Sequence, residues 1–161
     1  VGSEMCIRDR ISSFRFDEGL ASVGEYAFYG NADMTEVSLP ASLETIGGYA
    51  FYGMTSLERV EFAAGSRLKE ISAGCFYNAP ALEEVIFGDN SSLEKIGGIA
   101  FGKCENIKTL VLTSEKMVAM GNNGFIADGA AVYVPDNLVE TYKTNPTWKI
   151  FDIRAYSQYA G

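Results

Sequence analysis

Residues 43–53, LETIGGYAFYG, decide the fold, because close copies of this stretch recur along the chain at nearly constant spacing. Aligned on their phenylalanine, the five copies follow one another at steps of 23, 25, 25 and 24 residues. The phenylalanine column contains Phe28, Phe51, Phe76, Phe101 and Phe125. A leucine or methionine eight residues upstream keeps the same spacing. A period of this length indicates a repeat solenoid, in which each coil buries its apolar face against the next coil.

Each coil also predicts one short β-strand. After the first four phenylalanines, two apolar residues lie two positions apart, as in Val60-Glu61-Phe62. That is the spacing of side chains on one face of a strand. One strand per coil, stacked in parallel on the next, predicts a ribbon along one side of the solenoid. A small residue precedes each phenylalanine, so neighbouring coils can approach closely and the phenylalanine rings are expected to form the spine of the core.

The residue two positions after each phenylalanine is predicted to adopt a left-handed backbone conformation in a turn. Gly30, Gly53 and Asn78 suit that conformation, because Gly and Asn tolerate a positive φ best. Lys103 departs from this column, so the fourth coil is expected to turn differently.

The pattern L-x-x-I-G-x-x-A-F followed by L-x-x-V-x-F resembles the BspA-like leucine-rich repeats of bacterial surface proteins. The resemblance covers residues 14–134 and is near-complete at 43–62 and 93–112. It implies a right-handed leucine-rich-repeat-type solenoid, mostly β and irregular, in a secreted or surface-attached bacterial protein. Some members of the family are adhesins. The family favours a cysteine three residues after the phenylalanine, which only Cys104 supplies here.

Three segments follow from these columns. Residues 1–10, VGSEMCIRDR, match no column and resemble translated sequencing-adapter read-through, so we predict a non-native or disordered tail. Residues 11–134 form a solenoid of about five coils, the first one incomplete, which predicts further repeats upstream in the full protein. Residues 135–161 are predicted to form a C-terminal cap with a short helix from Pro135 to about residue 144. The apolar residues expected to cover the last coil are Leu138, Val139, Tyr142, Trp148, Ile150, Phe151 and Ile153.

Composition argues against several classes of function. The chain has 161 residues, a formal net charge of −8 and no basic cluster, which disfavours nucleic acid as a partner. It has no apolar run long enough to span a membrane. It has no histidine, which excludes a Ser-His or Cys-His nucleophile and a histidine zinc site. Cys75 and Cys104 occupy inward repeat positions and are expected to be small buried hydrophobes. We therefore predict no enzymatic activity, no cofactor and no metal site.

The outward face of the strand ribbon is the candidate ligand-binding surface. Ile86, Val111 and Tyr133 form an apolar row in its C-terminal half, which favours a contact patch if the row is exposed. The alternative is that the tail at residues 155–159 folds over this row. The polar residues expected around the row are Arg59, Glu61, Glu84 and Lys108.

Two functions remain open. The first is an extracellular recognition or adhesion module that binds protein or glycan on a cell surface or matrix through the ribbon. The alternative is a set of structural spacer repeats without a ligand of their own. Exposed apolar and aromatic residues on one face would favour binding, whereas uniformly polar columns would favour the spacer.

Overall fold

The computed structural model describes residues 3–6, 13–125 and 127–160, with residues 3–6 described by their backbone. Within these ranges the chain forms short strands joined by turns. In chain order they are β1 (Ser3–Cys6), β2 (Ser13–Phe16), β3 (Ser22–Val23), β4 (Glu36–Leu39), β5 (Thr45–Ile46), β6 (Arg59–Phe62), β7 (Glu70–Ile71), β8 (Glu84–Phe87), β9 (Lys95–Ile96), β10 (Thr109–Val111), β11 (Ala119–Met120), β12 (Ala131–Val134) and β13 (Asp152–Ala155). A 3-10 helix (Asp136–Leu138) and α1 (Val139–Thr144) lie between β12 and β13, and α2 (Tyr156–Ala160) follows β13.

The longer strands form one sheet along the solenoid, in the order β1-β2-β4-β6-β8-β10-β12-β13. Every neighbouring pair from β2 to β13 is parallel. Side chains alternate between the two faces, so that Val60 and Phe62 are buried on either side of the exposed Glu61. Equivalent residues of successive coils lie opposite one another, and the inward row contains Val37, Val60, Val85, Leu110 and Val132. The predicted solenoid with a ribbon of parallel strands is confirmed.

A second, narrower ladder runs along the opposite stretch of the coils. It consists of two-residue parallel strands, with β3 beside β5 and β7, β9 and β11 forming a sheet of three. The glycine after the strand permits this close approach, because a Cβ on Gly97 would lie 2.8 Å from the backbone nitrogen of Ala73. Gly97 N–H donates to the carbonyl of Ile71 at 2.7 Å. The longer strand of each coil is the one that the repeat pattern predicts. The pattern did not predict the two-residue strands, since two residues are too few to show an alternating pattern.

The phenylalanine column forms a continuous spine inside the coils. Phe28, Phe51, Phe76 and Phe101 stack with ring centroids 5.2, 5.1 and 5.3 Å apart and planes within 5° of parallel. Phe125 meets Phe101 edge to face at 6.0 Å. Phe51, Phe76 and Phe101 are completely buried, so each of these rings is covered by the coils on both sides.

The turn that follows the phenylalanine has the same geometry in the first four coils. Gly30, Gly53 and Asn78 have φ values of +70°, +71° and +62°, as predicted. Lys103 adopts the same conformation with a φ of +59°, so the expectation of a different fourth turn was wrong. Hydrogen bonds between coils fix this geometry, such as Asn78 N–H to the carbonyl of Gly102 at 2.8 Å. Around Lys103, Phe101 N–H donates to the carbonyl of Gly124 in the next coil at 2.8 Å and Cys104 N–H donates to the carbonyl of Phe101 at 3.2 Å. These bonds on either side of Lys103 offset the cost of about 1–2 kcal/mol that a left-handed backbone imposes on lysine.

The C-terminal segment covers the last coil as predicted, with two differences. The 3-10 helix and α1 occupy the predicted helical region, and Tyr142, Trp148, Phe151 and Ile153 are buried in the core. Ile150, however, is 67% exposed, so its assignment to the cap core was wrong. The segment also adds strand β13, which pairs in parallel with β12 and extends the ribbon by one more rung. The repeat pattern did not predict this strand, because proline and polar residues precede it and interrupt the pattern.

The tail predicted over residues 1–10 lies mostly outside the described residues. Its residues Ser3–Cys6 form β1, which pairs antiparallel with β2, in contrast to the parallel pairs of the repeats and to the expected disorder. We still expect that deleting residues 1–10 leaves the melting temperature nearly unchanged, because these residues match no repeat column. Thermal unfolding by circular dichroism measures this. A loss of several degrees would mean that the segment is part of the native fold.

Candidate binding surfaces

The apolar row predicted on the ribbon is covered rather than exposed. Ile86 is 7% exposed and Val111 is completely buried, while Tyr133 is half-buried. Helix α2 packs against β12 and β13, and the ring of Tyr159 lies 5.1 Å from that of Tyr133. The expectation that these three side chains form an exposed patch was therefore wrong, and the structure shows the alternative, in which the tail folds over them.

Polar contacts fix α2 at both sides of this row. The hydroxyl of Tyr156 donates to Oδ1 of Asp89, two residues after the end of β8, at 2.7 Å. The backbone N–H of Ser157 donates to Asp136 Oδ1 at 3.0 Å. The hydrogen bond to the Asp89 carboxylate, with a smaller contribution from burial, raises the pKa of Tyr156 to about 12. The Tyr156 hydroxyl therefore stays protonated, and able to donate, well above neutral pH.

The charged residues predicted around the row form ion pairs along the ribbon. Arg59 pairs with Glu84 of the next coil and with Glu61 at 3.4 Å on its own strand. Burial lowers the pKa of Arg59, but the two carboxylates outweigh this effect and leave the pKa raised. Lys108 pairs with Glu83 at 3.0 Å. All of these groups reach solvent, so each pair stabilises the fold by less than about 1 kcal/mol.

The N-terminal half of the ribbon stays open and contains a shallow hollow. Three outward residues of successive strands, Arg15, Ser38 and Glu61, form its floor. The turns that follow β2, β4 and β6 form its wall. The residues in that wall include Asp17, Glu18, Pro40 and Ala63. The hollow therefore offers one cation and several carboxylates to a ligand.

A second exposed surface lies on the turns that carry the phenylalanine column, and we call it the tyrosine face. In one row Tyr29, Tyr52 and Tyr77 stack with centroids 4.9 and 5.4 Å apart. In the other row Tyr26 and Tyr49 stack at 5.5 Å. Tyr26 and Tyr29 are 53% and 57% exposed.

Sequence reasoning missed the tyrosine face, although its signal is present in the repeat itself. The tyrosines lie two positions before and one position after the phenylalanine, as in the YAFY of residues 49–52. The sequence pattern was interpreted through its core phenylalanine, so no role was predicted for the tyrosines on either side of it.

The two cysteines whose side chains the structure describes lie in the core. Cys75 and Cys104 are free and buried. Burial raises the pKa of Cys75 far above its usual range and that of Cys104 to about 12, so neither forms a thiolate near neutral pH. Within residues 13–125 and 127–160, no cluster of three or more acidic or cysteine side chains could hold a metal ion. None of the helices in the same ranges is long and apolar enough to cross a membrane.

Comparisons with known proteins agree with this architecture. The BspA type leucine rich repeat region family matches residues 1–128 in six copies. No curated protein matches the sequence. A leucine-rich repeat protein from Bacteroides ovatus ATCC 8483 has a similar structure, with a TM-score of 0.60 and 23% identity over 88% of this chain; the match covers 42% of the Bacteroides protein. A leucine-rich repeat protein from T. pallidum matches with a TM-score of 0.46 and 21% identity, covering 92% of this chain and 89% of its own.

Proposed function

Because this chain belongs to the BspA-type leucine-rich repeat family, we propose that it is a non-catalytic recognition module of a secreted or cell-surface protein, which binds protein or glycan through the outer face of its strand ribbon. The observation that supports this proposal most directly is the position of α2. The ribbon already holds a polypeptide segment on its outer face, through the ring contact of Tyr159 with Tyr133 and the hydrogen bond of Tyr156 to Asp89. The same groups can bind a partner that presents aromatic side chains.

The ribbon offers such a partner two adjoining regions. The open region is the hollow floored by Arg15, Ser38 and Glu61. The covered region is the row of Ile86, Val111 and Tyr133 beneath α2. Desolvated apolar and aromatic groups contribute most of the binding energy in protein interfaces, while charged groups at the edge contribute mainly specificity. The covered row therefore supplies affinity once α2 moves away, and the hollow selects the ligand.

Helix α2 is weakly held, which makes its displacement feasible. None of its five residues is buried, and Tyr159 is 39% exposed. An isolated helix of this length has almost no intrinsic stability, because helix nucleation is costly. The free energy needed to lift α2 therefore consists of the few contacts that Tyr156, Ser157 and Tyr159 make with the ribbon and its turns, and of the cost of exposing Ile86 and Val111.

Weakening α2 is expected to strengthen ligand binding. In the variant Tyr156→Phe with Tyr159→Ala, a larger fraction of molecules has an uncovered row, so the apparent affinity should rise about 5- to 10-fold in proportion to that fraction. The measurement is a surface-binding titration against a panel of immobilised extracellular-matrix proteins and cell-wall polysaccharides. Gln158→Ala, an exposed substitution on the same helix, is the matched control and should leave binding unchanged.

The same titration tests how much the charged residues at the edge of the ribbon contribute to binding. Arg59→Ala and Glu61→Ala should weaken binding only about two- to threefold, as expected for solvated groups at an interface rim. If a probe binds the unmodified chain, the α2 variant and these two variants with equal affinity, the ribbon is not its binding site.

A structural spacer is the second candidate, and the ion pairs favour it. Ion pairs between neighbouring coils run beside the second ladder and stiffen the array. They include Arg67–Glu44 at 3.7 Å, Lys69–Glu94 at 3.7 Å and Lys95–Glu70 at 3.3 Å. The spacer is the better description if no member of the panel binds either the unmodified chain or the α2 variant.

A further inference from the structure

Helix α2 lies on the ribbon in the manner of a bound ligand, because it is not needed to complete the core. The core extends to Trp148, Phe151 and Ile153 and includes none of the five residues of α2. The two hydrogen bonds that hold α2 come from residues 67 and 21 positions away in the sequence. The contacts of α2 therefore show what kind of segment the ribbon accepts at this place.

The groups that hold α2 are called the α2 site here. They are Ile86, Asp89, Val111, Tyr133 and Asp136. The two aspartates accept hydrogen bonds, the tyrosine offers a ring, and the two aliphatic side chains form an apolar floor. This combination of acceptors around an apolar floor selects a ligand that has both hydrogen-bond donors and rings.

The rings of α2 form a pair of defined geometry. Tyr156 and Tyr159 are three positions apart and so lie on the same face of the helix, with ring centroids 6.1 Å apart. The hydroxyl of Tyr156 reaches Asp89, which follows β8, while the ring of Tyr159 contacts Tyr133 in β12. The pair thus bridges two strand spacings, or about 10 Å, across β10. A ligand needs a phenol donor and a second ring at this separation to repeat both contacts.

The third contact involves the backbone of α2 and favours a polypeptide ligand. The backbone N–H of Ser157 donates to Asp136 Oδ1 at 3.0 Å. This hydrogen bond, with a smaller contribution from the Ser157 side chain, lowers the pKa of Asp136, so its carboxylate stays ionised and acts only as an acceptor. Every peptide that carries a non-proline residue after its first tyrosine has such an N–H, whereas a neutral hexose polymer offers only hydroxyls.

Charge narrows the class of peptide. Asp89 and Asp136 both bind the beginning of α2, and α2 has no acidic residue in its first turn. A carboxylate beside the first tyrosine of a ligand would be repelled by both aspartates, since like charges in an interface disfavour a partner. The α2 site therefore suits a segment that is neutral or basic around its first tyrosine.

On the premise that the ribbon is a recognition surface, as proposed above, we propose that the α2 site binds a polypeptide segment of the pattern Tyr-x-x-Tyr without an acidic residue next to its first tyrosine. The segment takes the place of α2 and repeats the contacts with Asp89, Tyr133 and Asp136. Helix α2 is then an internal competitor, which covers Ile86 and Val111 until such a partner replaces it.

The test uses as its probe a synthetic peptide with the sequence of residues 155–160, AYSQYA, blocked at both ends. It is titrated into the complete 15N-labelled chain carrying Tyr156→Phe and Tyr159→Ala, and the amide chemical shifts of β12 and the 3-10 helix report binding at the α2 site. The peptide should bind this variant at least about fivefold more tightly than the unmodified chain, in which the intact α2 competes.

Matched peptides and one further variant test the individual contacts. A peptide with phenylalanine in place of its first tyrosine should bind about tenfold more weakly, because it lacks the hydroxyl that donates to a carboxylate. When the chain also carries Asp89→Ala, the two peptides should bind equally, since the acceptor is gone. A peptide with glutamate in place of its serine should bind at least about fivefold more weakly. Alanine in place of its glutamine should change nothing.

Three results would overturn the proposal. They are the absence of binding at about 1 mM peptide, equal binding of the tyrosine and phenylalanine peptides while Asp89 is intact, and dimers of the unmodified chain that Tyr156→Phe with Tyr159→Ala abolishes. Dimers of that kind would make a second copy the occupant of the site. The titration against matrix proteins and polysaccharides judges the proposed function separately. A polysaccharide that binds the α2 variant while the peptide does not would overturn the inference of a peptide ligand and keep the ribbon as a recognition surface.

Discussion

Phe76→Ala is expected to lower the free energy of unfolding by about 3–5 kcal/mol, the range found when a buried aromatic side chain is truncated. The Phe76 ring is completely buried and stacks on Phe51 at 5.1 Å and on Phe101 at 5.3 Å. Its removal leaves a cavity between two coils. In a solenoid each coil is stabilised mainly by its neighbours, so the loss weakens two interfaces at once.

Chemical denaturation monitored by circular dichroism measures this effect, and two variants serve as controls. Glu61→Ala removes an exposed side chain whose ion pair reaches solvent, and it should cost well under about 1 kcal/mol. Phe28→Ala should cost less than Phe76→Ala, because Phe28 stacks on a single member of the column and is only partly buried. Equal midpoint shifts for Phe76→Ala and Glu61→Ala would contradict the assignment of the phenylalanine column to the core.

The repeat pattern predicts the ribbon and the spine well, because each coil makes the same contacts with its neighbours. Once Phe51 and Phe76 are known to recur one coil apart, their stacking follows from the spacing of parallel strands. The alternation of Val60, Glu61 and Phe62 likewise assigns the two faces of the ribbon. These features depend on contacts between adjacent coils, which a period in the sequence reports directly.

The repeat pattern could not predict features that depend on contacts outside the repeats. Ile86 and Val111 lie in register with Glu61 on neighbouring strands, but their exposure depends on α2, which joins the ribbon from elsewhere in the chain. Nothing in the repeat columns specifies where Tyr156 and Tyr159 pack. Lys103 illustrates a related limit, since the hydrogen bonds of its neighbours Phe101 and Cys104 hold it in a left-handed turn that the residue type does not favour.

The tyrosine face shows a third reason why the sequence alone did not predict a surface. Tyr49 and Tyr52 belong to the very stretch that decides the fold, and their spacing is as regular as that of Phe51. The direction in which their side chains point, however, follows from the turn in which they lie. The positive φ at Tyr49 places its ring over Gly74 of the next coil. A Cβ at that glycine would collide with the ring, so a small residue there is needed for the stacking. Only the folded coil shows that these rings lie on a surface.

Trp148→Ala is the second substitution expected to have a large effect, again about 3–5 kcal/mol. Trp148 is buried and contacts Tyr142 and Phe151, with ring centroids 5.2 and 5.9 Å apart. Its indole Nε1–H donates to the carbonyl of Val118 at 2.8 Å, and the backbone N–H of Val118 donates to the Tyr142 hydroxyl at 2.8 Å. The substitution therefore removes apolar contacts and leaves a buried carbonyl without its partner, which adds to the cost.

The position of Trp148 determines which part of the molecule opens first. The aromatic contacts of the cap continue the phenylalanine spine, since Phe151 lies 5.2 Å from Phe125. In a solenoid the loss of an end contact destabilises the adjacent coil more than distant ones. Hydrogen exchange should accordingly accelerate in β11 and β12 while β6 and β8 stay protected.

Two variants serve as controls. Trp148→Phe keeps most of the apolar contact but not the indole donor and should lose about half as much stability. Ile150→Ala, at an exposed position two residues away, should lose almost none. If Trp148→Ala instead accelerates exchange evenly from β4 to β12, the solenoid unfolds as a single unit and the cap does not act through the last coil.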